Sequence, residues 1–144
     1  MKKRITLLLL ITSLALKAQS GIPQNEFILP LRILPVFAGT FGELRSNHFH
    51  SGLDIKTQQR TGLDVLASAS GYVSRIKVSH YGYGKALYIT HPNGYTTVYG
   101  HLNAYGPAIE KYVKAKQYEA KSYEIELFPN PDELIVSQGD LVAY

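Results

Sequence analysis

The sequence has no cysteine, no tryptophan and a single methionine. Without cysteine it forms no disulfide and does no thiolate chemistry, so it suits an oxidising compartment without requiring one. Charge is sparse too, with Asp, Glu, Lys and Arg together making up 18% of the chain. No apolar run reaches the ~20 residues that a membrane-spanning helix needs. The longest, "ITLLLLITSLAL", falls well short; it follows the basic "MKKR" and precedes "KAQS". Those three parts are the n-region, h-region and polar end of a secretory signal peptide, expected over residues 1–18, with cleavage after Ala18 or Ser20 both fitting. No cysteine follows the apolar run, which excludes a lipid anchor on a processed N-terminal cysteine. The expected location is therefore outside the cytoplasm, periplasmic or extracellular and associated with the cell envelope, with no transmembrane anchor left after cleavage.

An excess of positive charge is also missing once that segment is set aside. The full chain carries a net charge of +4, but Lys2, Lys3, Arg4 and Lys17 all lie in the signal region, and 11 basic residues then face 11 acidic ones. No basic patch or base-stacking motif argues for a nucleic-acid partner. Serine-hydrolase and nucleotide-binding chemistry find no frame either: "SASGY" lacks the G-x-S-x-G spacing, and "GYGKA" lacks the first P-loop glycine and the hydroxyl residue after lysine. No clear pair of acids offers glycosidase chemistry.

What remains is a chain of 144 residues, long enough for one domain with a core. Residues 19–35, with three prolines in "GIPQNEFILPLRILP", read as an extended lead-in that packs on that domain. From Val36 onward short β-prone runs alternate with glycine. "VFAGTFGEL" carries two glycines that mark bends or bulges, and "YVSRIKV" alternates with Val73 facing inward. "KALYITH" and "GYTTVYGHL" flank Pro92-Asn93-Gly94, and Asn-Gly between two apolar runs is a strong hairpin signal. In "PAIEKYVKAKQYEA", Pro107 opens a first turn and Ile109, Tyr112, Val113 and Lys116 recur at helical spacing, which predicts a short amphipathic helix over residues 107–120. "SYEIELFPNP" returns to alternation, and "VSQGDLVAY" reads as a turn followed by a strand.

The stretch "NHFHSGLDI" is hard to explain as ordinary folding material. In a straight strand His50 and Asp54 would share a face about 13 Å apart, at about 3.3 Å per residue. Two ligands of one zinc need donor atoms near ~3 Å from each other, each about 2 Å from the metal. A bend at Ser51-Gly52 would reconcile the two, since glycine reaches conformations closed to other residues. The same spacing also fits a surface ion pair or a strand-end hydrogen bond, and spacing alone does not choose between these. His101 stands at the end of "TTVYGHL", just after a glycine, where it reads either as a strand-end histidine or as a general base or oxyanion stabiliser. His48 reads as a neighbour of the pair, and His80 and His91 as structural or exposed.

Together, "FHSGLDI", "GLDVLASASGYVSRI" and "YGYGKALYITHPNGYTTVYGHLN" resemble the LytM/lysostaphin-type zinc peptidases, family M23. The resemblance is ordered, runs over about residues 38–102, and extends to a V-x-x-G-D-x-V element at Val136 to Val142. It implies a mainly β fold, an antiparallel β-sheet groove of the LytM/lysostaphin type with the short helix as an insertion over about residues 103–134, within a peptidase domain over residues 36–144. It implies a secreted zinc metalloendopeptidase acting on the peptides of bacterial cell-wall peptidoglycan, with Zn2+ as cofactor. His50 and Asp54 match two of the three protein zinc ligands, and His101 matches the catalytic histidine. The family's third ligand comes from a late H-x-H block. No histidine follows His101 here, so that ligand is expected beyond Tyr144. The chain therefore reads as an incomplete copy of the domain, inactive alone, with "DLVAY" left at an unpaired sheet edge. The inserted segment is expected to line or cap the groove. The alternative is a degenerate, non-catalytic module that binds the wall or activates another hydrolase. A regulatory protein partner is not identified by any residue pattern.

Overall fold

The structure, a computed structural model, describes residues 26–144. The expected signal peptide and the first part of the lead-in lie outside the described residues. Among the described residues no helix is long and apolar enough to cross a membrane. The chain is mainly antiparallel β with one helix. Its strands are β1 (Phe37–Gly39), β2 (Asp54–Ile55), β3 (Val65–Leu66), β4 (Gly71–Val78), β5 (Lys85–Thr90), β6 (Thr96–Tyr99), β7 (Ile125–Leu127), β8 (Ile135–Val136) and β9 (Leu141–Ala143), with α1 (Pro107–Ala120) between β6 and β7. The main sheet runs β6-β5-β4-β7, and the long strand β4 also takes β8 at its start. Two smaller ladders, β1-β2 and β3-β9, flank it.

Strand β4 shows why simple alternation misplaces part of the core. Val73, Ile76 and Val78 are all buried, although Val73 and Ile76 differ by an odd number of positions. The register against β5 shifts between Val73 and Arg75, so Ser74 forms a bulge that changes the phase of the strand. The β5–β6 hairpin closes as the Asn-Gly signal predicts. Thr90 pairs with Thr96, Gly94 takes a left-handed φ of 85°, and the Asn93 side chain accepts the Tyr95 N–H at 3.0 Å.

Helix α1 has the predicted bounds. Pro107 occupies its first turn, and Lys121 ends it in a left-handed conformation that turns its N–H toward the Gln117 and Tyr118 carbonyls. Ile109 and Val113 are buried in the core, alongside Val73, Ile76, Val78, Leu87, Ile89 and Tyr105. The Tyr105 hydroxyl donates to the Lys77 carbonyl at 2.8 Å. Burial pushes that phenol well above its ordinary pKa.

Strand β9 corrects an expectation: "DLVAY" is not an open edge. Val65 and Leu66 of β3 pair with it on one side. On the other, Gly106 N–H donates to Val142 C=O at 2.8 Å and Tyr144 N–H donates to Ala104 C=O at 2.8 Å. The segment after His101 folds back along β9 and covers the edge that the linear sequence left open. The described part of the lead-in runs beside β3, where Leu66 N–H donates to Pro30 C=O and Ile28 N–H donates to Ser68 C=O, each at 2.8 Å.

Candidate metal centre

Residues 42–50 double back as a small hairpin. Gly42 N–H donates to His50 C=O and His50 N–H to Glu43 C=O, each at 2.8 Å, and Arg45 N–H donates to His48 C=O at 2.9 Å. The chain then turns into β2, so the stretch from His50 to Asp54 is bent rather than extended. His50 Nε2 and Asp54 Oδ1 end 3.2 Å apart. The glycine explanation for that bend does not hold. Gly52 lies outside the left-handed region, and a methyl group there would meet only His50 Nε2, at 4.0 Å. The bend comes from the hairpin and the β1-β2 pairing.

The polar contacts around the pair settle which atoms face each other. His50 Nδ1 is 3.0 Å from the Thr40 carbonyl and 3.3 Å from Arg45 Nη2. A carbonyl only accepts and a guanidinium only donates, so the two contacts are mutually exclusive hydrogen bonds. The shorter one puts the proton on Nδ1 and leaves the Nε2 lone pair directed at Asp54. Arg45 Nη2 meanwhile donates to Asp54 Oδ2 at 2.7 Å, leaving Oδ1 free on the His50 side. Two electron-pair donors 3.2 Å apart repel unless they share a cation, either an imidazolium proton or a metal ion. The separation matches two ligands of one tetrahedral zinc at bond lengths of about 2.0–2.1 Å. The Thr40 carbonyl and the Arg45 guanidinium are the kind of outer contacts that orient such ligands. The residues therefore fit two positions of a zinc shell. Among the described residues, no group of three His, Cys, Asp or Glu converges on one point.

The Arg45 hydrogen bond is the main cause that holds the Asp54 carboxyl below the usual carboxylate range. Partial burial opposes it, and the positive charge of Arg45 assists. The neighbouring carboxylates raise the Arg45 pKa in turn. Arg45 Nε is buried without a hydrogen-bond partner among the described residues, so placing the guanidinium on Asp54 leaves one of its own donors unsatisfied.

His101 faces the pair across a cleft of about 720 Å³ that is also lined by Arg45, His48, Tyr83 and Val98. A second cleft of about 360 Å³ opens on the far side, between β2 and the end of β6. The two share Leu53, Asp54, Val98, Gly100 and His101 as lining, so they adjoin at the site. His101 holds a left-handed φ of 56°, uncommon for a residue with a side chain and a mark of a position fixed by its surroundings. Of the inserted segment over residues 103–134, only Asn103 lines either cleft. The helix thus does not cap the groove; its apolar side is spent on the core.

The other histidines separate as their contexts suggest. His91 is buried, with its ring nitrogens 2.9 Å from the Ser70 carbonyl and from Thr97 Oγ. His80 stacks on Tyr123. His48 lines the larger cleft with Nδ1 2.6 Å from Asn47 Oδ1. Sequence reasoning missed Arg45, the Thr40 carbonyl, Gly39 and Tyr83. Each acts across a fold-back, so no local spacing announces it; the one available signal was a lone arginine just before the histidine pair.

Residues 48–126 match peptidase family M23. Among curated proteins, the chain is 40% identical over 65 residues to the DD-carboxypeptidase/endopeptidase Mpg of Neisseria meningitidis serogroup B, and equally to that of Neisseria gonorrhoeae. The aligned part is 45% of this chain and 14% of each relative, so the chain spans a small fraction of their length. No solved structure matches.

Proposed function

Because the chain belongs to peptidase family M23, we propose that it acts as an exported zinc metalloendopeptidase that cleaves peptide bonds in bacterial cell-wall peptidoglycan. The observation that carries this reading is the pair of facing lone pairs, His50 Nε2 and Asp54 Oδ1, 3.2 Å apart on the wall of a groove that also holds His101. Zinc bound there would supply Lewis acidity, polarising a scissile carbonyl and lowering the pKa of water in its shell. The chain's own residues do the rest. Thr40 and Arg45 keep His50 and Asp54 in the orientation that presents one lone pair each. His101, exposed across the cleft, takes a proton from the attacking water or stabilises charge on the carbonyl oxygen. Two clefts adjoin at the site, which supports room for peptide on either side of the bond that breaks. The name of the Neisseria relatives, a carboxypeptidase and endopeptidase, agrees in reaction class.

On this reading His50 and Asp54 are two protein ligands of the zinc, and among the described residues no third His, Cys, Asp or Glu converges on them. A second reading is a non-catalytic module that binds the wall or activates another hydrolase; it is favoured by the convergence of only two donors among the described residues. Zinc stoichiometry of the whole protein, with release of peptides from purified peptidoglycan, separates the two. The peptidase reading expects one zinc per molecule, with both the metal and the digestion lost in Asp54→Ala. A metal-free wild-type protein that digests nothing would leave the module.

A further inference from the structure

We infer that Tyr83 is a positioning residue that sets the ring of His101 and ties it to the loop bearing His50; this rests on the peptidase reading above. Three contacts involve the Tyr83 side chain and a fourth its backbone. The Tyr83 ring meets the His101 ring edge-to-face, with centroids 5.6 Å apart and planes at 78°. The Tyr83 carbonyl accepts the His101 N–H at 2.9 Å. The Tyr83 hydroxyl lies 3.2 Å from Ser51 Oγ, on the residue that follows His50. Finally, a Cβ on Gly100 would stand 2.8 Å from Tyr83 Cδ1, so the chain before His101 comes this close only because residue 100 is glycine.

These contacts answer a mechanical need. His101 is exposed and, among the described residues, no hydrogen bond is made to its ring, so its side chain would otherwise sample several rotamers. An edge-on aromatic contact favours one of them by about two- to tenfold. The backbone bond to Tyr83 steadies the left-handed φ of 56° that aims the ring into the cleft. Tyr83 is itself 44% exposed, so it is not a core residue whose removal would empty the interior. The hydroxyl contact to Ser51 adds a weaker tie between two loops far apart in sequence. A displacement of about 1 Å at a reacting group can cost about 100-fold in rate.

The test compares Tyr83→Leu with Tyr83→Phe and Ser51→Ala in the whole protein. One measurement is turnover of a soluble stem-peptide substrate; the other is the His101 ring signals in NMR spectra without substrate. Tyr83→Leu should lower kcat by tenfold or more while KM stays within about threefold, and should shift and broaden the His101 signals. Tyr83→Phe, which keeps the ring, should restore the signals and most of kcat, and Ser51→Ala should match it within about threefold. Unmoved His101 signals or an unaltered kcat in Tyr83→Leu would overturn the inference, as would failure of the Phe variant to rescue both. A wild-type protein inactive on every stem peptide overturns the peptidase reading and this role with it. An active wild type with an equally active Leu variant overturns only the role.

Discussion

Replacing Gly39 by alanine tests the reading of the centre from a position that no motif marks. Gly39 lies in β1, opposite Asp54 in the β1-β2 ladder, and a methyl group on it would collide with the Asp54 carboxylate and the Arg45 guanidinium. Its φ is outside the left-handed region, so alanine is acceptable to the backbone and the collision is purely with these side chains. Restoring an ordinary contact of about 3.5 Å requires the carboxylate to move by about 1 Å. That movement separates Oδ2 from Arg45 and turns Oδ1 away from His50 Nε2. Loss of an outer contact to a metal ligand typically costs 10- to 100-fold in affinity, about 1.4–2.7 kcal/mol. Global stability should change far less. The Arg45–Asp54 pair is partly exposed and contributes little to stability, and alanine recovers about 0.4–1 kcal/mol by restricting the unfolded chain. The assay is zinc competition against a chromophoric chelator, beside a urea denaturation curve of the same whole protein. Arg45→Met should act in the same direction, and the double variant should fall short of the sum of the two. Zinc affinity within about twofold of wild type in Gly39→Ala, at unchanged stability, would refute the claim that the Gly39 approach and the Arg45 contact fix the ligand geometry.

Other outcomes follow from the core. Burial raises the Tyr105 pKa, so above about pH 10 the unfolded chain ionises first and each further pH unit removes up to about 1.4 kcal/mol of stability. Tyr105→Phe should flatten that alkaline slope by one group in urea midpoints measured against pH, while costing about 0.5–1.5 kcal/mol near neutrality for the hydrogen bond to Lys77. His91→Ala should destabilise by about 1–3 kcal/mol in urea denaturation, because the Ser70 carbonyl and the Thr97 hydroxyl each lose a buried partner, and should leave zinc affinity alone. Ile109→Ala should cost about 2–5 kcal/mol from the cavity left under α1, again without altering zinc affinity, since the helix lines neither cleft at the site.

The sequence by itself determined whatever depends on neighbours along the chain. The helix over residues 107–120 follows from a proline start and a repeating apolar face. The β5–β6 hairpin follows from Asn93-Gly94 between two β-prone runs, and the candidate pair from an imidazole and an acid four residues apart. The family resemblance belongs here too, because ordered motifs survive without coordinates. Tertiary structure decided whatever depends on which segments meet. It placed Arg45 on Asp54 and the Thr40 carbonyl on His50, and it set Tyr83 against His101. It assigned the bend at His50 to a hairpin and a ladder rather than to Gly52. It moved the phase of β4 with a bulge at Ser74, and it put α1 on the core instead of over the groove. Strand β9 gained partners on both sides because the chain after His101 returns beside it. The physical reason is one of range. Torsional preference and amphipathic period act over a few bonds and are written in the residues themselves. A contact of 3 Å between distant segments is fixed only by the closure of the whole fold.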